Sequence, residues 1–195
     1  MKNILYTIIL SFLFSFGVFA DWEEGLDVYI AGDYVTAFRE FKTLAEQGDA
    51  MAQFNLGYMY YQGEGVTQDN KEAVKWFRLA AEQGDAEAQN SLGWMYKYGK
   101  GVTQDHKEAV KWFRLATEQG DATAQYNLGV VYANGRGVIQ DLVIAHMWLN
   151  IAASNGYEDA KTNRDIAESM MTQEQIVKAE KLARECIEKN YKDCG

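Results

Sequence analysis

The chain has 195 residues, a net charge of −9, 48% hydrophobic residues, two Cys and no Pro. That length suffices for one domain with its own core, or for one short repeat array. The acidity disfavours a nucleic-acid partner, which needs a basic stripe to displace counterions from phosphates. High apolar content with scarce Cys excludes disordered, collagen-like and disulfide-dense classes.

In chain order, Met1–Ala20 comes first. It carries one charge, Lys2, then an apolar run from Ile4 ending in Val18-Phe19-Ala20, with small residues at the two positions a signal peptidase reads. This predicts an export signal over 1–20, cut after Ala20, and a periplasmic or further secreted product. The alternative is an uncleaved anchor, for which the run is at the lower length limit. After the cut no membrane insertion is expected.

Residues 21–48 read as a shorter helix pair. One helix runs over Trp22–Ala31. Its partner runs over Asp33–Gln47, with Ala37, Phe38 and Phe41 on the buried side.

Repeats dominate 49–158, with units at 49–84, 85–120 and 121–156. Ala45-Glu-Gln-Gly-Asp-Ala50 recurs at Ala81–Ala86 and, with Thr first, at Thr117–Ala122. Val66–Gly101 laid on Val102–Gly137 is identical at 26 of 36 positions. A fixed period of this size means a solenoid of one supersecondary unit. Each unit reads as two helices. The first runs from about Asp49 to Gln62, with Ala52, Leu56 and Tyr60 on one face. Gly63 and Gly65 break it with positive-φ positions. The second begins at Asp69, where Glu72 predicts an acidic capping box, and it buries Ala73, Phe77 and Ala80 flanked by Val74 and Trp76. Gly84 ends it.

Residues 159–195 form a different ending. Asp159–Met170 reads as a helix, and Thr172 with Gln175 opens a last one reaching about Asn190. Cys186 and Cys194 are an even count in an oxidising compartment. Eight residues apart on a straight helix they would be about 12 Å apart, too far to bond. The helix must therefore end and the tail fold back for a disulfide to clip it. A free pair or an intermolecular bridge are the alternatives. The whole is all-α, about ten helices.

The unit Ala-x-Ala-Gln-x-Asn-Leu-Gly-x-x-Tyr-x-x-Gly-x-Gly-Val, then Asp-x-x-x-Ala-x-x-Trp-Phe-x-x-Ala-Ala-Glu-Gln-Gly-Asp, resembles the Sel-1-like repeat, a relative of the tetratricopeptide repeat. Asp85–Val102 and Asp121–Val138 carry it most fully, with Asn90-Ser91 departing at the usual aromatic-Asn pair. Thr67, Thr103 and Ile139 stand where the family commonly has Pro. The resemblance implies a right-handed α-solenoid superhelix serving as a protein-interaction scaffold, with first helices lining its concave side.

Comparing the copies separates each first helix into two arcs. Ala52, Gln53, Leu56, Gly57 and Tyr60 recur unchanged in both later copies, as stacking requires. The changing arc holds Met51, Asn55, Tyr58, Tyr61 and Gln62; then Glu87, Ser91, Trp94, Lys97 and Tyr98; then Thr123, Asn127, Val130 and Asn134. Met59, Met95 and Val131 lie at the border. Phe54 and Tyr126 are expected to pack. Large aromatics beside short polar groups make interface anchors, so this arc is the expected binding face for a protein or peptide.

Chemistry is sparse. His106 and His146 have no Cys or Glu at ligand spacing, so no metal is expected. No Gly-x-Ser-x-Gly elbow is present, and the Gly-x-Gly turns follow helices rather than strands, so neither nucleophile nor nucleotide site is expected. The Lys71, Lys75, Arg78 and Glu82 face reads as solvated i, i+4 pairs. The expected function is a non-enzymatic, monomeric scaffold without cofactor. The alternatives are an immunity protein against a toxin delivered into the periplasm and, less favoured because the repeats lack Cys pairs, a cell-wall enzyme or penicillin-binding activity.

Overall fold

The computed structural model describes residues 22–194. The export signal expected over 1–20 and its cut lie outside them. Ten helices and no strand are present among the described residues, in two compact units divided between Gln83 and Gly84.

The first unit holds α1 (22–30), α2 (Tyr34–Glu46), α3 (Ala50–Gln62) and α4 (Asn70–Glu82). The second holds α5 (Ala86–Tyr98), α6 (His106–Thr117), α7 (Ala122–Asn134), α8 (Leu142–Ser154), α9 (Asp159–Glu168) and α10 (Gln173–Glu188). Aspartates cap most of them. Asp33, Asp69, Asp105 and Asp141 cap α2, α4, α6 and α8, while Asp49, Asp85 and Asp121 cap α3, α5 and α7. Each side chain accepts from a first-turn amide that has no partner within its helix.

The capping box expected at Asp69 and Glu72 forms only by half. The Asp69 side chain accepts from the Lys71 and Glu72 amides. The Asp69 N–H, which Glu72 would take, already donates to the Tyr60 carbonyl at 2.9 Å. Glu72 turns instead to Lys75 at 3.1 Å. Asp105 repeats this with Tyr96, and Glu108 with Lys111. Thr172 and Gln175 do form a reciprocal box at the start of α10. The C-cap of α4 is Gln83, and Gly84, expected there, stands one residue beyond it at φ +98°.

Packing within each pair depends on a glycine. A β-carbon on Gly57 would lie 2.8 Å from the Phe77 ring, and one on Gly93 2.7 Å from the Phe113 ring. Hydrogen there lets the two helices approach closely. Gly25 sits likewise under Phe41 across α1 and α2, more loosely, at 3.2 Å for an added β-carbon. The opening pair is thus built as a further repeat, with Ala37, Phe41 and Leu44 at the buried positions that Ala73, Phe77 and Ala80 take in α4. Its connection is four residues shorter, since 16 positions separate Gly25 from Phe41 and 20 separate Gly57 from Phe77.

Buried amides tie successive helices. Gln53 is buried, and its Nε2 donates to the Ala45 carbonyl at 3.1 Å. Gln83 Nε2 donates to Gln53 Oε1 at 2.8 Å and to the Gly48 carbonyl at 3.0 Å. Gln119 makes the same two bonds to Gln89 and Gly84 in the second unit. Gln83→Ala strands a buried amide oxygen, so a loss of about 1–3 kcal/mol is expected, read from the urea midpoint.

In the second unit Phe113, Leu128, Trp148 and Ile151 form the main core, which takes in Ala183 and Cys186 of α10. Cys186 and Cys194 are disulfide-bonded, with Cα atoms 5.5 Å apart. The helix stops at Glu188, and Asn190, Tyr191 and Asp193 adopt positive φ to bring the tail back.

Candidate functional site

The fixed arcs of the first helices are buried apart from Tyr60 and Tyr96, which are half-buried. Ala52, Gln53, Leu56 and Gly57 face inward, as do Ala88, Gln89, Leu92 and Gly93 and then Ala124, Gln125, Leu128 and Gly129. Met59, Met95 and Val131, placed at the border by sequence, are also core, at 0–3% exposure. Unbranched Met fills the space that Val fills in the third copy.

The changing arcs divide. On α3, Met51, Tyr58 and Gln62 are exposed, and Asn55 and Tyr61 are half-buried. Gln62 donates to the Tyr58 hydroxyl at 3.0 Å, fixing that ring. Asn55 turns onto its own helix, donating to the Met51 carbonyl. On α5, Tyr98 is 48% exposed and lies against the half-buried Trp94 with ring centroids 4.7 Å apart. Glu87 is exposed and Ser91 half-buried on the same helix. On α7, Asn134 is exposed and Thr123 half-buried.

Three expected surface residues are structural instead. Lys97 is 7% exposed, with its ammonium folded over the Tyr98 ring at 5.1 Å. A long stem covers apolar surface while its head finds the ring's negative face. Asn127 is 7% exposed because its amide bridges to Asn90 Oδ1 at 3.0 Å, tying α7 to α5. Val130 is half-buried and packs with Tyr126 and Tyr157 on the Leu149–Ala152–Ala160 cluster. Sequence comparison read these positions as free because they differ between copies, and a copy-specific contact differs in the same way. Phe54 packs on Phe77 and Tyr126 stacks on Tyr157, as expected. Asn163 adds an unforeseen bond to the Tyr126 hydroxyl at 2.8 Å.

Carboxylates lie at the start of this face in the second unit. Burial holds the Asp121 carboxyl above its ordinary range, against the opposing Ala124 and Thr123 amides. Partial burial, then Asp85 and Asp121, push Glu87 up. A raised folded-state pKa means the folded protein holds the proton more tightly than the unfolded chain. The stability tied to it is full below the unfolded value, near 3.8 for Asp121, and is lost as pH rises through the folded value. Asp121→Asn keeps the cap acceptor and removes the charge. Stability at pH 7 is expected to hold or rise, and its decline from acid to neutral pH to flatten, as read by urea melts across that range.

His146 is buried where Val74 and Val110 stand in the earlier copies, with Nε2 3.4 Å from Glu168 Oε2. Among the described residues no three of His, Cys, Asp and Glu converge as a metal site would require. No helix among them is long and apolar enough to cross a membrane.

The Sel1 repeat family model matches residues 50–85, 86–121 and 122–157, more than half of the chain. The chain is a Sel1 repeat protein. Solved structures agree. c5321, described as a protective antigen of uropathogenic Escherichia coli strains displaying an SLR fold, superposes with a TM-score of 0.71 at 39% identity over 75% of this chain. A Sel1 repeat protein of Oxalobacter formigenes superposes at 0.70 with 34% identity over 74% of it. The matches span 32% and 60% of those two chains. A sel1-like repeat-containing protein, L18, of Acanthamoeba polyphaga mimivirus is 49% identical over 35 residues, 18% of this chain and 6% of its own. Sel1 repeats generally mediate protein–protein interaction, and their scaffolds are generally non-enzymatic. This Sel1 repeat protein has the fold class its period implied, an all-α array of helix pairs.

Proposed function

We propose that this chain is a non-enzymatic, monomeric scaffold of the bacterial cell envelope that binds a protein or peptide segment on the changing faces of its first helices. Residues 1–20 direct export to the periplasm and are cut after Ala20. The observation that carries the reading is the Trp94–Tyr98 pair on α5. The two rings are in contact, Tyr98 is half open to solvent, and the positions differ from copy to copy while the stacking arc stays constant. Rigid aromatics of this kind supply contact area at little entropic cost. Within the first unit, Tyr58 on α3 offers a similar exposed aromatic. Glu87 and Asp121, whose charged forms their surroundings disfavour, would be relieved by a Lys or Arg of the partner.

The net charge of −9 supports a second reading, an inhibitor that neutralises a basic toxin delivered into the periplasm. One experiment tests both. The protein is cross-linked in envelope extract of its own organism beside a Trp94→Ala/Tyr98→Ala variant. A species captured by the first and lost with the second supports the face. Equal capture by both overturns it. A captured toxin, with growth protection against it, selects the second reading.

A further inference from the structure

We infer that the tail 189–194 is a redox-released latch on the last repeat, held shut by the Cys186–Cys194 bond. Gln83 and Gln119 each reach the glycine carbonyl of the preceding connection, at Gly48 and Gly84. The next copy has Asn155, one methylene shorter. Its Nδ2 keeps the bond to Gln125 Oε1 at 2.9 Å, and its other contact is the Tyr191 hydroxyl at 3.1 Å. The Tyr191 ring covers Gly120, where a β-carbon would sit 3.2 Å from Cε2. The tail thus takes the place of the tie that the earlier copies make with glutamine.

The tail holds this position at a local backbone cost, greatest at Tyr191. Asn190, Tyr191 and Asp193 stand at φ 51°, 66° and 54°, a region that L-residues avoid. The Asn190 and Tyr191 amides donate to the Ile187 and Cys186 carbonyls at 3.0 Å, and the covalent bond closes the turn that they begin. The same tail walls a cavity of about 370 Å³ whose other lining includes Arg114, Thr117 and Trp148. Thr117 is 1% exposed with an unpartnered hydroxyl, where the neighbouring copies carry Ala81 and Ala153. Release of the tail opens that wall.

The chemistry is thiol–disulfide exchange with a dithiol reductant. Its thiolate attacks Sγ of Cys194, the half-buried partner. The S–S bond breaks and buried Cys186 leaves as thiolate. The second thiol of the reductant then attacks the mixed disulfide, freeing Cys194. Two electrons and two protons pass to the cysteines, and the reductant becomes a disulfide.

A mutant cycle on the purified chain separates a latch from a simple staple. Tyr191→Ala is expected to lower the melting temperature of the oxidised protein by about 4 °C. In a Cys194→Ser background the same change should cost under about 1 °C, because the ring has already left. Cys194→Ala serves as the second background. Trypsin cleavage after Lys189 and Lys192 should accelerate at least about tenfold when dithiothreitol reduces the wild-type bond. Equal Tyr191→Ala shifts in both backgrounds, or a tail that stays protected after reduction, would overturn the latch.

Discussion

Gly137→Ala is expected to destabilise the protein by about 2–5 kcal/mol. Two costs combine. Gly137 stands at φ +81°, which penalises any β-carbon by about 1–2 kcal/mol. The added carbon would also lie 2.4 Å from the His106 carbonyl oxygen and 2.5 Å from its carbon. Those are backbone atoms at the first residue of α6, so no rotamer change relieves the overlap. The connection or the helix must move, at about 1–3 kcal/mol. Gly156→Ala is the control. It too has positive φ, +92°, but nothing lies within 4 Å of its added carbon, so only the first cost, about 1–2 kcal/mol, should appear. Urea midpoints of the two variants measure the difference. Equal losses would mean that close approach at Gly137 contributes nothing. Gly65 makes the equivalent approach to the Tyr34 carbonyl at the start of α2. In both places the glycine lets a connection lie directly on a helix N-terminus.

That arrangement explains what sequence could and could not disclose. The Gly-x-Gly spacing announced a turn, and the Asp caps with the buried Ala, Phe and Ala of α4 followed from period and helical spacing alone. These are local or repeating signals. The partners of those glycines lie about 30 residues away, and no spacing reveals them. Tyr60 taking the Asp69 N–H is of the same kind, since a contact to the preceding helix decides which half of a capping box can form. The opening pair hid its kinship because a shorter connection shifts α1 out of register, while α2 keeps it. Asn127 and Lys97 were misread for a different reason. Variation between copies marks both a free surface and a contact made once, and only the Asn90 bridge and the Tyr98 ring distinguish them. Tyr191 carried no signal at all beyond the cysteines that flank it.

Trp94→Ala with Tyr98→Ala is expected to weaken partner binding at least about 30-fold, some 2 kcal/mol. Lys97 and Asn127 belong to the interior, and Val130 is half-covered by Tyr126 and Tyr157, which leaves less of the changing face for a partner. The face on α5 narrows to Glu87, Ser91, Trp94 and Tyr98, of which only the two rings offer large apolar area. Lys97 stiffens Tyr98 from below, so little freedom is lost when a partner covers that ring. Lys97→Met, keeping the stem and losing the charge, should therefore reduce affinity less than removal of either ring. Leu115 on α6 is as apolar and 38% exposed, yet it belongs to a second helix. Leu115→Ala should change affinity less than about threefold, within the range of a contact outside the hot spot. Titration calorimetry with the captured partner, beside circular dichroism to confirm the helices, ranks the variants. If Leu115→Ala weakens binding as much as the ring pair does, the second helices carry the interface and the first-helix assignment fails.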